Sequence, residues 1–126
     1  MNAHNGKEGP SETAVPPAAP MASVVVPVYN GAQSLSACLD SLTSQDFPAD
    51  RYEIIVVDDG STDTTPEIVR QYYARQAPPF VRYCRQTNQG PASARNHGAR
   101  LAQGSILVFT DADCEPAPNW LSEMCK

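Results

Sequence analysis

The sequence predicts an α/β fold: a parallel, Rossmann-like sheet with helices on both faces. Three observations carry the prediction. Apolar, β-branched runs alternate along the chain with segments of helical period. The strand runs are apolar throughout rather than every second residue, which fits strands buried on both faces. Polar residues also collect just past the carboxyl ends of these runs, where open parallel sheets bind their ligands.

The first strand is ASVVVPVYN, 22–30. In GAQSLSACLDSLTSQ, 31–45, Leu35, Cys38, Leu39 and Leu42 stand at i, i+3, i+4 and i+7, one face of a helix. YEIIVVDD, 52–59, is the second strand. STDTTPEIVRQYYARQ, 61–76, is the second helix, with Asp63 as N-cap, Pro66 in the first turn and Ile68, Val69, Tyr72 and Tyr73 facing inward. FVRYCRQ, 80–86, is a weaker strand. GPASARNHGARLAQG, 90–104, is a helix of small residues closed by Gly104. SILVFTDAD, 105–113, is the fourth strand, and PNWLSEMCK opens another helix. Residues 1–20, rich in Pro, Ala and Gly with no apolar period, predict a disordered tail, and His4 within it has no expected role. The domain is therefore expected over 21–126.

Composition narrows the function. A net charge of −5 and the absence of a Lys/Arg-rich run argue against general nucleic-acid binding. No apolar run approaches the roughly 20 residues of a membrane span, and the N-terminus lacks the pattern of a secretory signal. Cysteines at 38, 84, 114 and 125 contain no C-x-x-C pair, so reduced thiols in a cytoplasmic protein are expected.

The strand ends supply the candidate site. Asp111 and Asp113 follow an apolar strand, and in an extended segment residues i and i+2 point the same way, so both carboxylates can reach one cation. Hard divalent ions such as Mg²⁺ or Mn²⁺ take such oxygen ligands together with substrate phosphates. A solvated turn is the alternative. Asp58 and Asp59 end the second strand. They fit either a helix-capping loop or, through Asp58, hydrogen bonds from a nucleobase or ribose. Pro27 and Tyr29 close the first strand, where a tyrosine either stacks on a base or packs at the sheet edge. Gly90 precedes a helix whose first turn suits phosphate, with Arg95 a turn inside, although Arg95 also fits a solvated surface. His97 reads as a surface helix residue. Neither G-x-G-x-x-G nor G-x-x-x-x-G-K-[ST] is present.

Taken together, SVVVPVYN, IIVVDDGSTDTT, NQGPASARNHGA and FTDADC resemble, in order and spacing, the inverting nucleotide-sugar glycosyltransferases of family two, which have the GT-A fold. The resemblance runs from about Ser23 to Leu121. It implies metal-dependent transfer of a sugar from a nucleotide-diphosphate donor, a UDP-sugar, to a saccharide, lipid or other acceptor. Tyr29 and Asp58 would hold the base, with Pro27 shaping that pocket. Asp59 would order the loop or approach the ribose, and Gly90 and Arg95 would lie near the ribose-diphosphate. Asp111 would contact sugar or ribose, and Asp113, closing the DXD motif, would bind Mn²⁺ or Mg²⁺.

In that family the catalytic base is an Asp or Glu further along. Glu115 and Glu123 do not match it, so the base is expected beyond Lys126 and the chain reads as a truncated, donor-binding half. Such a half would expose a sheet edge and an apolar face, which predicts self-association or marginal stability. The second reading is a non-catalytic module that binds nucleotide diphosphates. A receiver-like domain would want a lysine at a later strand end, and the only lysines are Lys7 and Lys126.

Overall fold

The computed structural model describes residues 19–126; the tail expected over 1–20, His4 included, lies outside them except for Ala19 and Pro20. The element order is β1 (Ala22–Val28), α1 (Leu35–Thr43), a 3₁₀ turn (Ala49–Arg51), β2 (Tyr52–Asp58), α2 (Thr65–Tyr73), β3 (Phe80–Arg85), α3 (Pro91–Leu101), β4 (Ile106–Phe109) and α4 (Trp120–Met124). The four strands form one sheet in the order β3-β2-β1-β4, all parallel. Val24 stands beside Ile54 and Val108, and Val56 beside Tyr83.

Successive strand residues face opposite sides. Val24, Val26, Val28, Ile54, Val56 and Val108 meet Leu35, Leu39 and Leu42 of α1, Val69 and Tyr72 of α2, and Leu121 of α4. On the opposite face Val25, Ile55, Val57 and Cys84 meet Ala94 of α3. Burial on both sides is why the stretches 24–28 of β1 and 54–57 of β2 are apolar without alternation. The small residues of α3 let it approach closely: a Cβ on Gly98 would lie 2.4 Å from Cγ1 of Val25.

Two sequence expectations are corrected. Gly104 does not close α3, which ends at Leu101. It sits instead against the start of β1, where a Cβ would lie 2.7 Å from the carbonyl carbon of Ala22, and its amide donates to Ser23 Oγ at 2.8 Å. β4 stops at Phe109, four residues short of Asp113. The ladder to β1 ends with Thr110 N donating to Val25 O, after which Cys114 N donates to Asp111 O and closes a turn.

A buried polar group anchors the amino-terminal side of the sheet. Glu53 accepts from Arg82 Nη1 at 2.9 Å, Ser23 Oγ at 2.6 Å and Gln103 N at 2.7 Å. Arg82 Nη1 also donates to Leu101 O. This network ties β1, β2 and β3 to the link between α3 and β4. On the α3 side, β4 is left open: Leu107 and Phe109 are 38% and 41% exposed.

Candidate functional site

The carboxyl ends of β1, β2 and β4 and the first turn of α3 enclose an open pocket of about 160 Å³. Its walls are Pro27, Val28, Tyr29, Asp59, Pro91, Ala94 and Asp111. Strand parity explains the selection. Pro27 and Tyr29 continue the side of Val25 and Asp59 continues that of Val57, on the α3 side of the sheet, while Asp111 comes from the turn that follows β4.

Parity also separates the two adjacent acids. Asp58 is fully buried beneath the site rather than in it. Its Oδ1 accepts from Ser61 N at 2.8 Å, and its Oδ2 accepts from Tyr83 Oη at 2.8 Å and Arg85 Nη1 at 3.0 Å. Burial is the main reason the Tyr83 phenol is pushed well above its ordinary pKa, so it remains a donor. The expectation that Asp58 receives a base is not met by this geometry, since protein donors surround it and Asp59 lines the pocket instead.

Asp59 gathers the segment before α3. Its Oδ1 accepts from Gln86 Nε2 and Gln89 N, both at 2.8 Å, and its Oδ2 from Gly90 N at 2.9 Å and Asn88 Nδ2 at 3.2 Å. Burial raises its pKa, but the bonds from Gln86, Gln89 and Gly90 outweigh that and hold it below the usual carboxylate value. His97 is tied into the same group: its Nδ1 lies 2.9 Å from Gln86 Oε1. An amide oxygen only accepts, so Nδ1 carries the proton and Gln86 Nε2 is turned toward Asp59. Sequence reasoning missed Gln86 and Asn88 and read His97 only as a surface helix residue, because nothing local marks a side chain that acts through a partner on another element.

Gly90 is the N-cap of α3 with φ +98°, a left-handed backbone that favours glycine. Arg95, one turn further, is half-buried. Ion pairs among the described residues are made by Arg82, Arg85 and Lys126, which leaves the Arg95 guanidinium outside them.

Asp111 and Asp113 are both exposed and lie in a turn, not in the extended segment expected. Even so the turn brings them together: one oxygen of each and the Cys114 sulfur all lie within 4.8 Å of one another. The two carboxylates suit a hard divalent ion, so the donor set fits a metal. The turn is pinned to α1 by Ser34 Oγ donating to Ala112 O at 3.1 Å and by Cys38 Sγ donating to Asp111 O at 3.5 Å. Burial first, then the nearby Cys114, Asp113, Asp111 and Glu115, push the Cys38 thiol up to about 12, so it stays protonated and can donate. All four cysteines are free, and no helix among the described residues is long and apolar enough to cross a membrane.

The model of the family "Glycosyl transferase family 2" matches residues 23–126. Glycosyltransferase AglE of Haloferax volcanii is 42% identical over 102 residues, 81% of this chain and 33% of AglE. The solved structure of Staphylococcus aureus TarS 1-349 in complex with UDP superposes with a TM-score of 0.73 at 34% identity, covering 82% of this chain and 30% of that one. The mannosyltransferase PcManGT from Pyrobaculum calidifontis, solved with GDP-Man and Mn²⁺, gives 0.70 at 37%, covering 84% and 31%. The chain thus spans about a third of the length of these relatives.

Proposed function

Because the chain belongs to glycosyl transferase family 2 and has its GT-A fold, we propose that residues 21–126 form the part that binds the nucleotide diphosphate of a sugar donor. The observation that carries this reading is the pocket itself, which gathers residues from four separated motifs, Pro27 and Tyr29, Asp59, Pro91, and Asp111, on one edge of the sheet.

In this reading Tyr29 stacks on the base with its hydroxyl in water, and Pro27 shapes the floor. Asp59 forms the carboxylate wall and holds the segment before Gly90. The first turn of α3 and Arg95 face the diphosphate, where backbone N–H groups and a guanidinium favour negative charge. Asp111 and Asp113 hold a divalent ion, Mn²⁺ or Mg²⁺. Such an ion, when bound, offsets charge growing on the leaving diphosphate. UDP is the favoured nucleotide, supported by the TarS complex. The whole protein is proposed to transfer the sugar with inversion to an acceptor, and the base that takes the acceptor's proton is assigned to no residue of this chain.

Isothermal titration with UDP, with and without Mn²⁺, tests the reading. Mn²⁺-dependent binding that disappears in Asp113→Ala is expected. A folded protein that binds no UDP, or binds it equally well in Asp113→Ala, overturns the proposal.

A further inference from the structure

Tyr29 is 53% exposed, and the aromatic ring contacts among the described residues join Phe47 to Tyr52 edge to face and Tyr73 to Tyr83 by stacking, not Tyr29. A ring that is to serve as a platform must still be held in place, because ordering a free side chain on binding costs affinity. Here the holding is done through the backbone on either side. Before Tyr29, Val28 O accepts from Asp59 N at 2.8 Å. After it stands Asn30, with φ +50°, a left-handed conformation that asparagine tolerates better than most residues.

Asn30 is clamped from the neighbouring loop. Its amide donates to Ser61 Oγ at 2.8 Å, and its Oδ1 accepts from Thr62 N at 2.7 Å and Asp63 N at 3.3 Å. The next two amides continue the clamp: Gly31 N donates to Thr65 Oγ1 at 3.1 Å, and Ala32 N to Asp63 Oδ2 at 3.2 Å. None of Ser61, Thr62, Asp63 or Thr65 lines the pocket. The conspicuous GSTDTT segment therefore has a task away from this pocket, the locking of the β1–α1 loop.

We propose that Asn30, held by residues 61–65, is a positioning residue: it sets the place of the Tyr29 ring over the pocket and thereby the affinity for a nucleoside diphosphate. The inference rests on the reading of Tyr29 as the base platform. Asn30→Gly keeps the left-handed backbone and removes the side-chain acceptor. Asn30→Asp keeps an acceptor and tolerates the same backbone.

The test uses the whole 126-residue chain labelled with 3-fluorotyrosine, the Tyr29 resonance being identified by its loss in Tyr29→Phe. Asn30→Gly is expected to shift or broaden that resonance and to lower UDP affinity roughly three- to tenfold, the scale of a lost hydrogen-bonded constraint. Asn30→Asp is expected to restore both. An unchanged Tyr29 resonance in Asn30→Gly overturns the inference whatever UDP does, and so does a failure of Asn30→Asp to restore it. Tyr29→Ala separates the two ideas. If it leaves UDP affinity unchanged, the platform reading fails by itself, while the resonance still decides whether Asn30 holds the ring.

Discussion

Oδ2 of Asp59 accepts a 2.9 Å hydrogen bond from the amide of Gly90, which ties the end of β2 to the N-terminus of α3. With the bonds from Gln86, Asn88 and Gln89, one carboxylate sets the path of the whole segment that leads into the helix. Asp59→Asn cannot match this, because one of its two terminal atoms becomes a donor facing donors. A loss of about 1–3 kcal/mol is expected, the cost of leaving buried partners unpaired. Amide exchange should quicken most at Gln89 and Gly90.

The same carboxylate predicts a pH dependence. Its hydrogen bonds hold its folded-state pKa below the ordinary value in spite of burial. A depressed folded pKa adds stability that is present above the unfolded pKa of about 3.9 and is lost as pH falls through the folded value. Urea midpoints of the natural chain and Asp59→Asn should therefore lie far apart at neutral pH and converge below about pH 4. Parallel curves would show that Asp59 is not the group responsible.

The contrast between Asp58 and Asp59 shows what could be read from the sequence and what could not. Both stood out as acids at a strand end, and the strand itself was legible because IIVV, 54–57, is an unbroken β-branched run. Which of two adjacent residues enters the pocket depends on which face of the sheet α3 covers, and that is a tertiary fact. Asp111 and Asp113 differ in another way. Their closeness was anticipated from an extended chain, but it arises from a turn stapled to α1 by Ser34 and Cys38, contacts that join residues more than seventy positions apart.

Gly98 tests the packing that places α3, and with it Gly90 and Arg95. An alanine there would put its Cβ 2.4 Å from Val25 Cγ1 and 3.1 Å from Val57 Cγ2. Both contacts belong to the close-packed interior of the sheet, where overpacking costs about 1–3 kcal/mol. Gly98→Ala should lower the unfolding free energy by that amount, read as a fall in the urea midpoint at unchanged slope. It should also weaken UDP binding, because the helix must move away from the pocket wall it supplies.

Glu53 and Arg82 form an ion pair buried from solvent, and Arg82 Nε finds no partner among the described residues. Removing one member leaves the other charge buried alone. Glu53→Ala is expected to cost about 3–5 kcal/mol, whereas the double change Glu53→Leu, Arg82→Leu should cost less than Glu53→Ala alone. Chemical denaturation of the three variants checks this ordering. A double variant as unstable as Glu53→Ala would mean that the hydrogen bonds to Ser23, Gln103 and Leu101, rather than the ion pair, hold this end of the sheet.

The open side of β4 bears on association. Among the described residues β4 pairs with β1 and no strand covers its outer edge, and Leu107 and Phe109 stand exposed beside it. A short apolar edge without lysine or proline invites pairing with another strand. Sedimentation of the chain is therefore expected to show concentration-dependent self-association. Phe109→Lys sets a charge on that edge and should return the protein to monomers with its fold intact. Val108, on the opposite face, is buried in the same core cluster as Leu39 and Leu121, so Val108→Lys should unfold the protein instead, which distinguishes a lost contact from a lost fold. A natural chain that sediments as a monomer at every concentration would show that Leu107 and Phe109 are tolerated in water as they stand.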